Sequence, residues 1–282
     1  MFGYRIVGQH ALKVCVTTDE ISRDPETALG IATDWGIRHF ELRYLFDRRV
    51  PDTQPFTQER LRNLFTQYHA DVVAIFPWLF KFGIEDTSNI YNHLSDRLPR
   101  SIELAKDLGT NLIIIFGFIG DAKKYDEYFD LAISCLSKAA DHAADRNILL
   151  AIENEPICLA DTGERTARLV EAVNRDNLLI NWDLGNAYVV GEKPSVGYSH
   201  VKDFLAHIHL KDCIVDNKTG KAKFVPLNKG KTELFEQLEK VKANAYDGFV
   251  SIETHFTPKV KGTRQCWKNL KAFLRKSGEN IE

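Results

Sequence analysis

At 282 residues, 44% hydrophobic and 27% charged, the chain is long enough to bury a full core and sits in the size range of one large α/β domain. A formal net charge of −2, with Lys and Arg scattered, argues against a polyanionic partner such as nucleic acid, which selects a basic excess or stripe. Cys15, Cys135, Cys158, Cys213 and Cys266 are odd in number and lack CxxC or CxH spacing, so neither a disulfide framework nor a zinc knuckle is indicated.

The opening MFGYRIVGQHALKVCV lacks a basic region followed by an apolar one, and no stretch reaches the length of a membrane span. A soluble cytoplasmic protein with reduced thiols and no membrane partner is the expectation. Short apolar runs predict strands near 12–17 (LKVCVT), 38–43 (RHFELR), 71–77 (DVVAIFP) and 111–117 (NLIIIFG). Four more follow near 148–153 (ILLAIE), 178–183 (LLINWD), 205–210 (LAHIHL) and 248–253 (GFVSIE). Continuous apolar runs of this length suit strands covered on both faces, as in a parallel sheet.

Helical patterns separate the strands. Asp24-Pro25 offers an N-cap with proline at the first helical position, and Gly36 closes that helix. SIELAKDLG ends in the same way at Gly109. Residues 126–146 are amphipathic, with Phe129, Ile133, Leu136 and Ala140 near helical spacing. The lysine-rich segment 217–231 reads as a solvated loop, TELFEQLEKVKANAYDG leads into the last strand, and a basic helix around 262–276 finishes the chain. Eight strands alternating with helices predict a (β/α)8 TIM barrel forming a single domain over 1–282. A doubly wound sheet would need a glycine-rich phosphate turn after the first strand, and VCVTTDEISRDP contains no glycine.

The last four strands each end on a potential metal ligand: Glu153 in LLAIENEP, Asp183 in LLINWDLGN, His209 in LAHIHLKD and Glu253 in FVSIETHF. Barrel strands carry chemistry at their C-terminal ends, and alternate residues face the interior. Alternation groups Glu153 with Glu155, Asn181 with Asp183, His207 with His209 and Lys211, and Ser251 with Glu253 and His255. In the second strand it groups His39, Glu41 and Arg43. One carboxylate at a strand end is commonly a cap or an ion-pair partner; four potential ligands in succession predict a divalent-metal site. Three carboxylates and one imidazole favour Mn2+ or Mg2+, with Co2+ or Zn2+ able to occupy the site. His207, one pleat deeper, reads as a packed histidine.

On these residues the chain resembles the xylose-isomerase-like TIM barrels, which include sugar and sugar-phosphate isomerases and epimerases and inosose dehydratases. The resemblance runs from ETALGIATDWGIRHFEL through AIEN, NWDLGN and HIHLKD to YDGFVSIETH. It implies that Glu153, Asp183, His209 and Glu253 bind the metal and that Glu153 and Glu253 are the catalytic acid and base. The implied chemistry is proton abstraction next to the carbonyl of a small sugar or polyol, through a metal-stabilised enediolate. Glu41, Glu155, Asn186, Lys211 and His255 are candidate substrate contacts, with an ion pair to Arg43 or Arg38 the alternative for Glu41. For Lys211 the alternative is an ion pair with Asp212. Trp78 and Phe118 could stack on a sugar face or simply pack. The resemblance also implies a homo-oligomer.

Asn186 stands where many family members carry histidine, and CIVDNKTGKAKF offers lysines where ketose epimerases carry arginine. A lyase of the inosose dehydratase type, using the same site, is therefore the alternative activity. An abasic-site endonuclease would need three zinc ions and more histidines, and a non-enzymatic binding protein would be expected to have lost ligands.

Overall fold

The computed structural model describes residues 11–54 and 56–277. The expectation about an N-terminal leader therefore falls largely outside the described residues, as do both extremities of the expected 1–282 domain.

Eight strands form the barrel: β1 (Lys13–Thr17), β2 (His39–Leu42), β3 (Asp71–Leu79), β4 (Leu112–Phe116), β5 (Leu149–Glu153), β6 (Leu178–Asp183), β7 (Leu205–Leu210) and β8 (Phe249–Ile252). Each pairs in parallel with the next, and β8 closes on β1 through the register Val14↔Val250 and Val16↔Ile252. Besides shorter helices at Thr87–Asn92 and Leu184–Val189, eight principal helices accompany them, one after each strand: α1 (Pro25–Asp34), α2 (Gln58–Gln67), α3 (Leu98–Asp107), α4 (Tyr125–Ala144), α5 (Gly163–Val173), α6 (Pro194–Val201), α7 (Leu234–Ala243) and α8 (Lys259–Lys276). The fold is a TIM barrel. Among the described residues no helix is long and apolar enough to cross a membrane.

The local signals act as the sequence implies. Asp24 caps α1 by accepting from the Thr27 amide at 3.3 Å, with Pro25 at the first helical position. Gly36 (φ 89°) and Gly109 (φ 75°) supply the left-handed turn that stops a helix before the following strand. Along α4, Leu136, Ala139, Ala140 and Ala143 are buried, with Phe129 and Ile133 packed beside them.

Strand alternation splits the buried side chains into two layers. Ile75, Ile113, Ile115, Leu150 and Ile152 join the large core under the helices. Their neighbours Ala74, Phe76, Ile114, Phe116 and Ala151 form a separate cluster. Each large side chain taken out of water contributes on the order of 1.5–3 kcal/mol. The corresponding alternate positions on β6, β7 and β8 are Asn181, Asp183, His207, His209 and Ser251, all buried. One half of the barrel interior is thus apolar and the other polar, and the polar half leads up to the C-terminal mouth.

Two antiparallel hairpins extend beyond that mouth. Tyr44–Leu45 pairs with Arg48–Arg49 after β2, and Asp212–Val215 pairs with Ala222–Val225 after β7. The second hairpin corrects the expectation of a plain solvated loop over 217–231. Backbone pairing absorbs the polar groups of Ala222–Val225, while the exposed Lys221 and Lys223 remain in solvent.

Candidate metal centre

Ligand atoms of Glu153, Asp183, His209 and Glu253 all lie within 4.8 Å of one another, and all four residues are buried. Register brings them together. Asp183 on β6 is directly opposite His209 on β7, and Ser251, two residues before Glu253, is opposite His209 on the other side. Glu153 reaches the same point across β6, placing Oε1 2.9 Å from His209 Nδ1. Glu253 Oε2 stands 3.3 Å from that nitrogen.

The backbone around Asp183 is pinned by Asn154. Its Oδ1 accepts from the Asp183 amide at 2.8 Å, and its Nδ2 donates to the Asp183 carbonyl at 2.9 Å. Asp183 also caps the short helix Leu184–Val189, accepting from the Asn186 amide at 2.9 Å. Gly185 in that helix passes close under Lys211, where an added Cβ would lie 2.8 Å from Lys211 Cβ. The lysine ammonium reaches 2.6 Å from Asp183 Oδ2 and 3.0 Å from Glu253 Oε2. Lys211 therefore joins the cluster instead of pairing with Asp212. Asp212 turns away and accepts from the Lys229 and Gly230 amides and the Thr232 hydroxyl.

Glu41 lies beneath the ligand set. Its Oε2 is 2.8 Å from His209 Nε2 and 3.2 Å from His207 Nε2, and Thr17 Oγ1 donates to its Oε1. A carboxylate on Nε2 fixes the ring and leaves Nδ1 facing Glu153 and Glu253, the outer-layer support usual for an imidazole ligand. This corrects the alternative expected for Glu41, since its carboxylate meets the two histidines and not Arg43 or Arg38. His207 is buried between Glu41 and Cys15 Sγ at 4.0 Å.

Arg43 is the residue that sequence reasoning missed. Its guanidinium pairs with Glu253 Oε1, with Asp19 at 2.9 Å and with Glu20 at 3.2 Å, all buried. The signal was its place two residues beyond Glu41, yet adjacency suggested the wrong partner. Among the other candidates, Asn186 donates to the Asn154 carbonyl at 2.9 Å and accepts from Lys211 at 3.2 Å. His255 reaches Glu253 at 3.3 Å and Glu20 at 3.6 Å from a partly exposed position. Glu155 pairs with Lys81 at 3.4 Å. Phe118 is fully buried against Phe80 and Phe82, whereas Trp78 is 40% exposed at the rim.

Burial pushes the Asp183 carboxyl up, Lys211 opposes, and Glu153 and Glu253 push further, leaving it at about 6. At Glu253 burial acts in the same direction but is outweighed by Lys211, His255, Arg43 and His209, which hold it well below the usual carboxylate range. Burial disfavours the His209 cation, but the carboxylates Glu41, Glu253 and Glu153 prevail and raise it well above the ordinary histidine range. His207 goes the other way, lowered chiefly by burial.

The donor set fits a divalent cation. Asp183 Oδ2 and Glu253 Oε2 are buried with no donor aligned on them as a hydrogen bond; Lys211 lies beside both, and His209 Nδ1 stands 3.3 Å from Glu253 Oε2. Three carboxylates with one imidazole form an oxygen-rich cage for a hard or borderline ion. A separate depression of about 740 Å3 at the opposite end of the barrel, lined by Lys13, His39 and Asp71, lies away from this cluster.

A barrel with such a cluster at the C-terminal ends of β5–β8 has the architecture of TIM-barrel enzymes that act from that face. Residues 29–276 match the family described as the xylose isomerase-like TIM barrel, and the chain belongs to it. An uncharacterised protein of Methanocaldococcus jannaschii is 28% identical over 233 residues, which is 78% of this chain and 76% of that protein. Among solved structures, the IolI protein with a bound zinc atom superposes with a TM-score of 0.78 at 19% identity, covering 94% of this chain and 99% of that one. An L-ribulose 3-epimerase gives 0.76 at 15% identity, with coverages of 94% and 95%. The probable 3-DHS dehydratase AsbF of Bacillus anthracis gives 0.75 at 19%, with coverages of 92% and 99%. At these identities the structural likeness establishes the fold alone.

Proposed function

We propose that the protein is a divalent-metal-dependent isomerase or epimerase of a small sugar, sugar phosphate or polyol, working by proton abstraction next to a carbonyl. The observation that carries this reading is the convergence of Glu153 and Glu253 with Asp183 and His209 on one buried point. Those four residues would hold one Mn2+ or Mg2+, with Co2+ or Zn2+ also accommodated. A bound cation supplies Lewis acidity, polarising the carbonyl and offsetting the charge that develops as the proton leaves.

Glu153 and Glu253 approach from β5 and β8, one to take the proton and the other to return it. Asp183 and His209 hold the charge between them, and Glu41 keeps the imidazole oriented. Asn186, Lys211 and His255 border the cluster and can donate to substrate oxygens. The low polarity of the Phe76 and Phe116 side limits competing water.

Lys211 favours one alternative. An ammonium 3.0 Å from Glu253 is placed to protonate a departing hydroxide, which would turn the same proton abstraction into a dehydration. The deciding experiment incubates metal-loaded protein with ketoses, ketose phosphates and keto-polyols in deuterated water. Deuterium entering the carbon next to the carbonyl without loss of water supports isomerisation or epimerisation. Growth of an enone absorbance in the ultraviolet supports the lyase. Absence of both across the panel, with metal bound, would sink proton-abstraction chemistry.

A further inference from the structure

Arg49 ends the hairpin after β2 in an unusual setting. Its guanidinium carbon lies 3.4 Å from the centre of the Trp78 ring and 4.1 Å from that of Tyr44, its partner across the hairpin. Its Nη1 is buried without an acceptor, and among the described residues no carboxylate forms an ion pair with it. Burial, reinforced by the nearby Arg43 charge and opposed by Tyr44 and, less, by Asp19, pulls this guanidinium down to about 10. A cation largely withdrawn from water without a directly paired carboxylate is costly.

Beside it opens a cavity of about 390 Å3 lined by Arg49, Trp78, Lys81, Asn89, Asn92 and Arg97, among others, with no Asp or Glu in its wall. Lys81 and Arg97 each have one acidic partner outside the cavity lining, Glu155 at 3.4 Å and Asp52 at 3.7 Å. Trp78 holds φ 57°, a left-handed conformation costly for a bulky side chain, and in it covers the guanidinium.

The cavity adjoins the metal centre. Lys81 Nζ is 4.1 Å from the Phe116 ring, Phe116 pairs in register with Glu153, and Arg43, six residues before Arg49, contacts Glu253. A stacked guanidinium presents its edge for paired hydrogen bonds to two oxygens of one anion.

We propose that this cavity is an oxyanion subsite that takes the carboxylate or phosphate group of an anionic, sugar-derived substrate whose reacting carbons lie at the metal centre. The inference rests on the isomerase reading for the second half of that statement and narrows its substrates to anions. Arg49 supplies the directed donors, Lys81 and Arg97 the surrounding field, and Asn89 and Asn92 neutral donors at the wall.

The test titrates metal-free protein with inorganic phosphate, sodium acetate and D-fructose at ionic strength held constant with chloride, followed by calorimetry. Phosphate or acetate should bind, the tighter one identifying the head group, and fructose should not. Arg49→Gln should weaken that anion at least tenfold while leaving Mn2+ affinity unchanged. Lys81→Met, outside the hairpin itself, provides the same reading if the first variant folds poorly, with a loss of several-fold. Anion binding no stronger than chloride, or unchanged in both variants, overturns the subsite. Failure of Mn2+ to bind while the anion still binds through Arg49 would instead overturn the isomerase reading and leave the subsite standing.

Discussion

Glu253 faces four basic side chains at once: Arg43 and His255 on one oxygen, the latter at 3.3 Å, and Lys211 and His209 on the other at 3.0 and 3.3 Å. Buried at 2% exposure, it balances charge in the core as well as offering a ligand. Replacing Glu253 by Gln should weaken Mn2+ binding by more than tenfold and lower proton-exchange turnover by roughly 100-fold or more, since acid–base groups commonly contribute that much. Arg43 keeps Asp19 and Glu20, so the fold should survive with a loss of about 2 kcal/mol, below the usual cost of stripping a buried ion pair. Denaturant unfolding of the metal-free variant measures the second effect apart from the first. Near wild-type turnover would remove Glu253 from the chemistry. The four strand-end residues were legible because residue type and strand end coincide four times in succession. Arg43 was not, because Asp19 and Glu20 follow β1 outside any apolar run and Glu253 ends β8, which only barrel closure brings near β2.

The barrel strands lie within two residues of where apolar runs place them, from LKVCVT against Lys13–Thr17 to GFVSIE against Phe249–Ile252. Burial on both faces makes such strands conspicuous. The hairpin after β7 is half exposed and has no apolar run, so hydrophobicity could not reveal it. Its turn is nonetheless written in DNKTG: Asp216 accepts from the Lys218 and Thr219 amides at 2.8 Å, and Gly220 takes φ 68°. What holds this region to the barrel is Asp212, whose oxygens receive the Lys229 amide at 3.1 Å, the Gly230 amide at 2.8 Å and the Thr232 hydroxyl at 2.8 Å. Asp212→Ala strands those donors and should cost about 2–3 kcal/mol, because each buried donor left unpaired costs on the order of 1 kcal/mol or more. Asp212→Asn keeps one acceptor oxygen and should cost less. Thermal melts of the two variants check the order, and equal melting points for both and the wild type would show that the tether is dispensable.

Across the whole molecule, the polar half of the barrel interior concentrates Glu41, Glu153, Asp183 and Glu253 against Arg43, His209 and Lys211. Asp183, raised to about 6, binds more protons folded than unfolded between about 4 and 6. Stability of the metal-free protein therefore falls as pH rises through that window. The raised His209 adds a stabilising contribution that is complete below the unfolded histidine value of 6.5 and is lost as pH climbs through its folded value. Both groups thus make the metal-free protein weaker toward alkaline pH. A divalent ion requires an ionised Asp183 and an unprotonated His209 nitrogen, so binding expels protons and strengthens as pH rises. Mn2+ at about 100 times its dissociation constant should stabilise the fold by about 2.7 kcal/mol, raising the melting temperature by several degrees. At one fixed Mn2+ concentration the increment should grow from pH 6 to pH 8, and calorimetry at pH 7 in buffers of different ionisation enthalpy should register release of about one proton, chiefly from His209. An increment that shrinks with pH, or binding without proton release, would mean that the ion does not displace the His209 proton and sits elsewhere than among these four side chains.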